Sequence, residues 1–289
     1  MRFQRKYNVN NSFFKIWTHE MAYILGFWFA DGHITGDIFC ISQKTEDEYI
    51  LEEMLDCMSS NYPIYKNGKQ SCFMIRSKEI VNSIKLLGGN ECKSLTAKMP
   101  YIPSEYLPDF LRGLWDGDGS ITKQFNRKSY STTLTSGSKQ FVKQLQKELI
   151  NNISGFKGGS ITTSISKKGK KMPHGKMLKK DSIYYSLCLS TNDTKRLGKY
   201  MYPLNCTIKL LRKATKFAKL TKIQPATYDK QYVTYDTAKI YASSLGLKNW
   251  RDWKDFSASG KRPSNIPSNP NRTYRGEFKN IKDFLGVNP

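Results

Sequence analysis

Two hydrophobic periodicities alternate along the first 220 residues, and the alternation occurs twice. TEDEYILEEMLDCM (45–58) places Ile50, Leu51, Met54, Leu55 and Met58 at helical spacing, and KQFVKQLQKELI (139–150) is a second amphipathic helix. A strand-like run precedes each helix, IFCISQ (38–43) and STTLTS (131–136). A hairpin candidate follows each: PIYKNGKQSCFMIR, with Asn67-Gly68 as its turn, and SITTSI with IYYSLCLS. Short helices close the two sets, KEIVNSIKLL (78–87) and NDTKRLGKYM (192–201). The predicted order is helix, hairpin, helix, hairpin, helix, twice over, an α+β architecture with two related halves.

The helix that opens each set carries a repeat. Residues 24–34 read ILGFWFADGHI and residues 111–121 read LRGLWDGDGSI, with 87 residues from Asp31 to Asp118. Gly26 and Ala30 fall on one helix face, as do Gly113 and Gly117, and small residues at that spacing let two helix backbones approach closely. Helices paired through these faces bring their C-terminal ends together, with Asp31 beside Asp118 and a glycine ending each helix. Two adjacent carboxylates at helix C-termini are electrostatically unfavourable. A divalent cation offsets this, and Mg²⁺ suits oxygen ligands and a phosphate substrate. One Asp-Gly alone reads as a turn; two in matched contexts point to a site. DGDGSI imitates a calcium-binding loop, but Leu114 and Phe125 stand where such a loop needs acidic residues.

Charge narrows the partner. There are 47 Lys and Arg against 24 Asp and Glu, a net charge of +23, which favours a polyanion. No apolar run approaches the ~20 residues of a membrane span, and MRFQRKYNVNNSFFKIW has no signal-peptide core. Six cysteines, at 40, 57, 72, 92, 188 and 206, form no C-x-x-C pair and do not cluster with His19, His33 or His174. A zinc finger is thereby excluded, and reduced thiols in an intracellular protein are expected.

With these residues in place, ILGFWFADG and LRGLWDGDG resemble the paired signature helices of the LAGLIDADG homing endonucleases, and PSEYLPDFLRGLWDGDGSI is especially similar to the second motif's context. The resemblance covers about residues 18–220. It implies two pseudo-symmetric αββαββα halves (1–103 and 104–220) forming a saddle whose sheets lie in the DNA major groove. It further implies Mg²⁺-dependent cleavage of both strands to short 3′ overhangs, with two or three ions shared between half-sites. Carried over by position, Asp31 and Asp118 are metal ligands, Gln43 ends the second strand with Ser136 as its counterpart, and Lys93 and Lys209 approach the scissile phosphate. Phe29 departs from the acidic residue common at its position.

Strand alternation assigns the DNA-facing positions. If Ile121 and Leu134 point inward, then Ser120, Thr122, Gln124, Ser131, Thr133 and Thr135 point outward, and Cys40 and Ser42 do so in the first half. A lysine-rich insertion (167–180) supplies Lys167, Lys168, Lys170 and Lys171 for phosphate contact. Both half-sites in one chain imply a monomer on a long, asymmetric DNA target. The remaining residues, 221–289, hold 12 Lys and Arg and 6 Asp and Glu, leaving +17 on the first 220. They resemble a repeat attached to phage integrases, through LGL, W-x-x-W, GKRP, IPSNP and DFLG in order, and read either as an accessory DNA-binding module or as a packing module.

Two other functions share the scaffold: an RNA-binding maturase acting on its own intron, and a DNA-binding protein that does not cut. Retention of both Asp31 and Asp118 favours cleavage, since RNA binding alone needs neither. Protein splicing is not expected, because the chain starts with Met and GVNP lacks the His-Asn ending.

Overall fold

The computed structural model describes residues 7–287, except 92, 124–129, 172–176, 204, 205, 207, 222–231, 259, 260, 264, 268 and 269. Contacts divide the chain into Met1–Pro225 and Ala226–Pro289, and each unit has its own core.

In the first unit, α1 (His19–Asp31) leads into β1 (Gly32–Thr35), β2 (Ile38–Lys44), α2 (Tyr49–Cys57), β3 (Ile64–Asn67), β4 (Gln70–Arg76) and α3 (Lys78–Leu86). A short helix, α4 (Lys93–Thr96), follows. The second half repeats the order with α5 (Leu107–Asp118), β5 (Ser120–Lys123), β6 (Tyr130–Ser136), α6 (Lys139–Asn152), β7 (Ser160–Ser166), β8 (Ser182–Cys188) and α7 (Thr191–Met201). The two sheets are antiparallel, ordered β1-β2-β4-β3 and β5-β6-β8-β7. The fold is thus αββαββα twice, as the two periodicities predict. Local chemistry sets the boundaries: Thr18, Ser77, Ser138 and Ser190 cap α1, α3, α6 and α7 by accepting a backbone N–H from the first turn, each worth ~1 kcal/mol. Gly68, at φ +61°, turns β3 into β4.

The α1–α5 pair is the centre of the unit. Every residue of α1 from Met21 to Phe29 is buried, because one side meets α5 and the others meet β1, β2 and α2. The pairing uses the small-residue faces. A Cβ on Gly26 would lie 2.0 Å from the Phe110 carbonyl oxygen, and one on Gly113 would lie 2.0 Å from that of Tyr23. A Cβ on Gly117 would meet that of Ala30 at 2.3 Å. No side chain fits at these crossings, so the glycines let backbone touch backbone.

The glycines after Asp31 and Asp118 end their helices, as the sequence implies, but not in the left-handed conformation common at helix C-termini. Gly32 and Gly119 are at φ −93° and −67°, conformations open to any residue. What excludes a side chain is the indole ring one turn back: a Cβ would lie 2.1 Å from Trp28 Cδ1 at Gly32 and 2.3 Å from Trp115 Cδ1 at Gly119.

Beyond α7 the chain forms α8 (Leu211–Thr221), an element the sequence reading leaves out. Phe217 of α8 packs on α7 at Gly198 and beside Tyr202. The N-terminal end of α8 reaches the first half: Leu211 N donates to Tyr49 Oη at 2.6 Å and Arg212 Nε to Asp47 Oδ2 at 2.7 Å.

The second unit is helical, with α9 (Tyr235–Ser243), α10 (Trp250–Ala258), α11 (Pro270–Thr273) and α12 (Ile281–Leu285). Trp253 stands edge-on to Phe284 at 5.3 Å, inside a core that includes Tyr235 and Tyr274. Among the described residues Tyr235, Trp253, Tyr274 and Phe284 are therefore packing residues, while Trp250, Phe256 and Phe278 are half-buried around them.

Candidate active site

The backbone contact between α1 and α5 delivers two carboxylates to one place. Asp31 and Asp118 are the last residues of the paired helices. A Cβ on Gly117 would lie 3.3 Å from Asp31 Oδ2, so the Asp31 carboxylate lies over the last turn of α5. Burial, then repulsion from Asp118, raises the Asp31 pKa to about 6 against the pull of Lys213 and Lys93. Asp118 keeps part of its surface open to solvent, yet crowding by protein atoms raises its pKa as well, opposed by Lys93 and Lys213.

Each helix end is clamped by a buried lysine. Lys93 Nζ donates to the carbonyl oxygens of Phe29 (2.7 Å) and Ala30 (3.0 Å). Lys213 Nζ donates to those of Trp115 and Gly117, both at 2.8 Å. An ammonium here adds a donor to the carbonyls of the last helical turn, one of which (Trp115) also accepts the Gly119 N–H, and opposes the negative end of the helix dipole. Burial lowers both lysines to about 8, even though the nearby aspartates favour the charged form.

The expected second lysine, Lys209, is not in this arrangement. Its Nζ donates to the Cys206 carbonyl oxygen at 3.0 Å, which turns it back into its own loop. The counterpart of Lys93 is Lys213, one helical turn further on, because α8 and not the preceding loop runs along the end of α5. An apolar stripe with basic neighbours, LLRKATKFAKL (210–220), is the signal that would have found it.

Two clefts flank the helix ends. The larger, about 650 Å³, is lined by Asp31, Ser42, Gln43, Arg212, Lys213 and Lys216 among others. The smaller, about 390 Å³, holds Asp118, Lys93 and Ser136 with Phe29, Leu114 and Phe141. Each lysine therefore clamps one helix while facing the cleft of the other helix's carboxylate. Gln43 is buried and its Nε2 donates to Asp31 Oδ2 at 3.3 Å. Sheet register makes Ser136 its counterpart: Ile41 pairs with Gly32, the Ser120–Thr133 pairing sets Leu134 in the same relation to Gly119, and Gln43 and Ser136 each lie two residues on. Ser136 Oγ instead accepts the N–H of Ser138 at 3.1 Å, so the two clefts are chemically unequal.

Asp116 and Phe29 occupy equivalent positions with opposite roles. Phe29 packs between Phe110 and Phe141. Asp116 is fully buried and accepts from Tyr23 Oη (2.9 Å), Tyr202 Oη (2.5 Å) and Leu210 N (2.8 Å). It joins α1, α5, α7 and the start of α8, and so fixes where Lys213 stands. Arg112, also buried, donates to the carbonyl oxygens of Met201 and Ile208 and to Asp109.

The outward strand positions fall largely as alternation predicts. Thr132 and Leu134 are buried, while Ser131, Thr133 and Thr135 lie on the opposite face with Ser120 and Thr122. Ser42 lines the larger cleft. Cys40 differs: it shares the outward register, opposite His33 and Met74, but only 1 % of it is exposed, so its neighbours cover it from any ligand. Gln124 lies outside the described residues. Lys167, Lys168, Lys170 and Lys171 are exposed beyond β7, with Lys167 paired to Asp181 at 3.0 Å.

Residues 105–152 match the family model of the LAGLIDADG-like domain. Among solved structures, the crystal structure of I-DmoI in complex with DNA and Ca shares 18 % identity over 73 % of this chain and 99 % of its own, with a TM-score of 0.41. The LAGLIDADG homing endonuclease I-GzeII in complex with its DNA target shares 15 % over 70 % and 88 %, at 0.43. Full-length DUF199/WhiA from Thermatoga maritima shares 13 % over 95 % and 88 %, at 0.40. At these TM-scores the likenesses add nothing to the topology already described. No curated protein matches the chain in sequence. The matched segment contains α5, the carboxylate at its end and the hairpin and helix that follow, so these residues of the second half are similar to a LAGLIDADG-like domain.

Proposed function

We propose that this chain is a site-specific double-strand DNA endonuclease that uses a divalent metal and acts as a monomer. The observation that carries this reading is the pair of carboxylates, Asp31 and Asp118, held side by side by a glycine-mediated helix contact. Both have raised pKa values, and each shares a cleft with a lysine. Structural needs alone do not account for two such carboxylates at the negative ends of adjacent helices, since neutral side chains would be cheaper there.

The residues fit a divalent cation. Among the described residues no three His, Cys, Asp or Glu side chains group at metal-binding distance, so the protein offers two carboxylates and no closed cage. Mg²⁺ is commonly bound in this way, by one or two carboxylates with water and substrate phosphate completing its shell. When bound, the ion supplies Lewis-acid polarisation of a phosphoryl oxygen and a more acidic water. Gln43 orients the Asp31 carboxylate through its amide. Lys93 and Lys213 fix the helix ends and place positive charge beside the clefts, where a phosphate would sit. Lys216 adds charge to the larger cleft, which Arg212, paired with Asp47, also lines. Both half-sites lie in one chain, so a monomer has all it needs for two strands.

The test is cleavage selection on a randomised duplex library with Mg²⁺, comparing the wild type with Asp31→Asn and Asp118→Asn. The wild type is expected to yield double-strand breaks at one family of sequences, and each variant to bind those sequences without breaking both strands. Specific binding of DNA that stays intact in the wild type would overturn the nuclease reading in favour of a non-cleaving binder. Selective retention of structured RNA with no DNA preference would replace it with the maturase reading.

A further inference from the structure

The two halves divide the work of recognition unevenly. By sequence, residues 1–103 carry 12 Lys and Arg against 11 Asp and Glu, a net +1, whereas residues 104–220 carry 23 against 7, a net +16. Near-equal folds thus bear very different charge.

The outward faces of the sheets differ in the complementary sense. In the second sheet, Leu134 and its cross-strand partner Leu187 point to the core. Every outward position of β5, β6 and β7 is then Ser or Thr, in rows such as Ser120–Thr133–Cys188–Ser160 and Thr135–Ser186–Thr162. Some of these hydroxyls bond each other: Thr135 Oγ1 and Ser186 Oγ are 2.8 Å apart. In the first sheet, Ile41 and Phe73 point to the core. The four outward rows there are Asn67–Gln70–Lys44, Tyr65–Cys72–Ser42, Met74–Cys40–His33 and Arg76–Ile38–Thr35, so amide and guanidinium groups stand in the two end rows.

Chemistry separates these faces. Asn and Gln present a donor and an acceptor fixed side by side, and Arg presents a fork of donors, so each matches one base edge and clashes with others. A hydroxyl rotates to donate or accept and pairs with several bases, and its short stem leaves room for water. Lysine-rich charge, for its part, binds phosphate without regard to sequence.

From these contrasts, and resting on the DNA-binding reading above, we infer that the first sheet sets sequence specificity and the second half supplies affinity through the phosphate backbone. The target is polarised: base pairs over the first sheet are strictly read, and those over the second tolerate substitution.

The experiment is affinity selection of a randomised duplex library by the full chain carrying both Asp31→Asn and Asp118→Asn, followed by sequencing for information at each position. Binding is then repeated with Asn67→Ala, Arg76→Ala, and paired Thr133→Ala and Thr135→Ala variants. One half-site is expected to carry most of the information. Asn67→Ala and Arg76→Ala should relax single positions within it, by about 5- to 150-fold in discrimination. The double threonine variant should alter no position by more than about threefold. Replacing Lys167, Lys168, Lys170 and Lys171 with Ala should leave the consensus intact and lower the log–log salt slope by up to about 3.6. Specific enrichment with information spread evenly, or relaxed by the threonine variants, overturns the division of labour while leaving DNA recognition standing. Enrichment of no DNA sequence overturns both.

Discussion

Replacing Asp31 with Asn should stabilise the metal-free protein while abolishing its response to metal. The Asp31 carboxyl titrates near pH 6 in the fold against 3.8 when free, chiefly through burial. A carboxylate with a raised pKa favours the fold fully only below its unfolded pKa, and that contribution is lost as pH rises through the folded one. The rise from 3.8 to about 6 corresponds to about 3 kcal/mol at pH 7.5. An amide has the shape of the protonated acid and no charge to desolvate, so the variant escapes that cost. For a unit of this size, 1 kcal/mol moves Tm by roughly 2–4 °C, so Asp31→Asn should melt roughly 6–12 °C higher in chelator at pH 7.5. At pH 5 the gap should shrink to about half, because the wild-type carboxyl is then mostly protonated. Adding Mg²⁺ at pH 7.5 should raise the wild-type Tm and leave the variant's almost unmoved, since one of two ligands is missing. The assay is thermal melting followed by circular dichroism, with and without chelator, at the two pH values. A metal-free variant no more stable than the wild type at pH 7.5, or a gap independent of pH, would refute the reasoning.

Three further outcomes follow from the packing and the clamps. Lys213→Met should lower the cleavage rate by about 10²- to 10³-fold on a selected target, whereas Lys209→Met should change it less than about threefold; single-turnover rates distinguish them, and equal losses would return the role to Lys209. Gly113→Ala should destabilise the first unit by roughly 1–3 kcal/mol, because its Cβ meets the Tyr23 backbone rather than a movable side chain; an unchanged denaturant midpoint would show that the helices separate freely. Asp116→Leu should leave the hydroxyls of Tyr23 and Tyr202 without their acceptor, cost roughly 2–4 kcal/mol by the loss of two to three buried hydrogen bonds, and slow cleavage by displacing Lys213. Cleavage at the wild-type rate by a destabilised Asp116→Leu protein would separate stability from the position of that lysine.

The sequence by itself determined the repeat, the order of elements in both halves, the helix faces that meet and the two carboxylates at their ends. These are local quantities: periodicity, turn glycines and small residues four apart act through neighbouring positions, and the duplication let one copy support the other. Alternation along β5 and β6 likewise identified the outward threonines and serines, because a strand has only two faces. Tertiary structure decided what depends on residues far apart in the chain. Lys213 replaces Lys209 because the path of α8 is set by the buried Asp116 and by Asp47 and Tyr49, more than 90 residues away. Cys40 has the register of a contact residue, yet it is buried, and Tyr235, Trp253, Tyr274 and Phe284 of the second unit turn inward to build a core. Gly32 and Gly119 serve to admit an indole ring rather than a left-handed turn, a distinction of space that no pattern along the chain encodes. Periodicity assigns a residue to a face of its own element; only packing decides what that face meets.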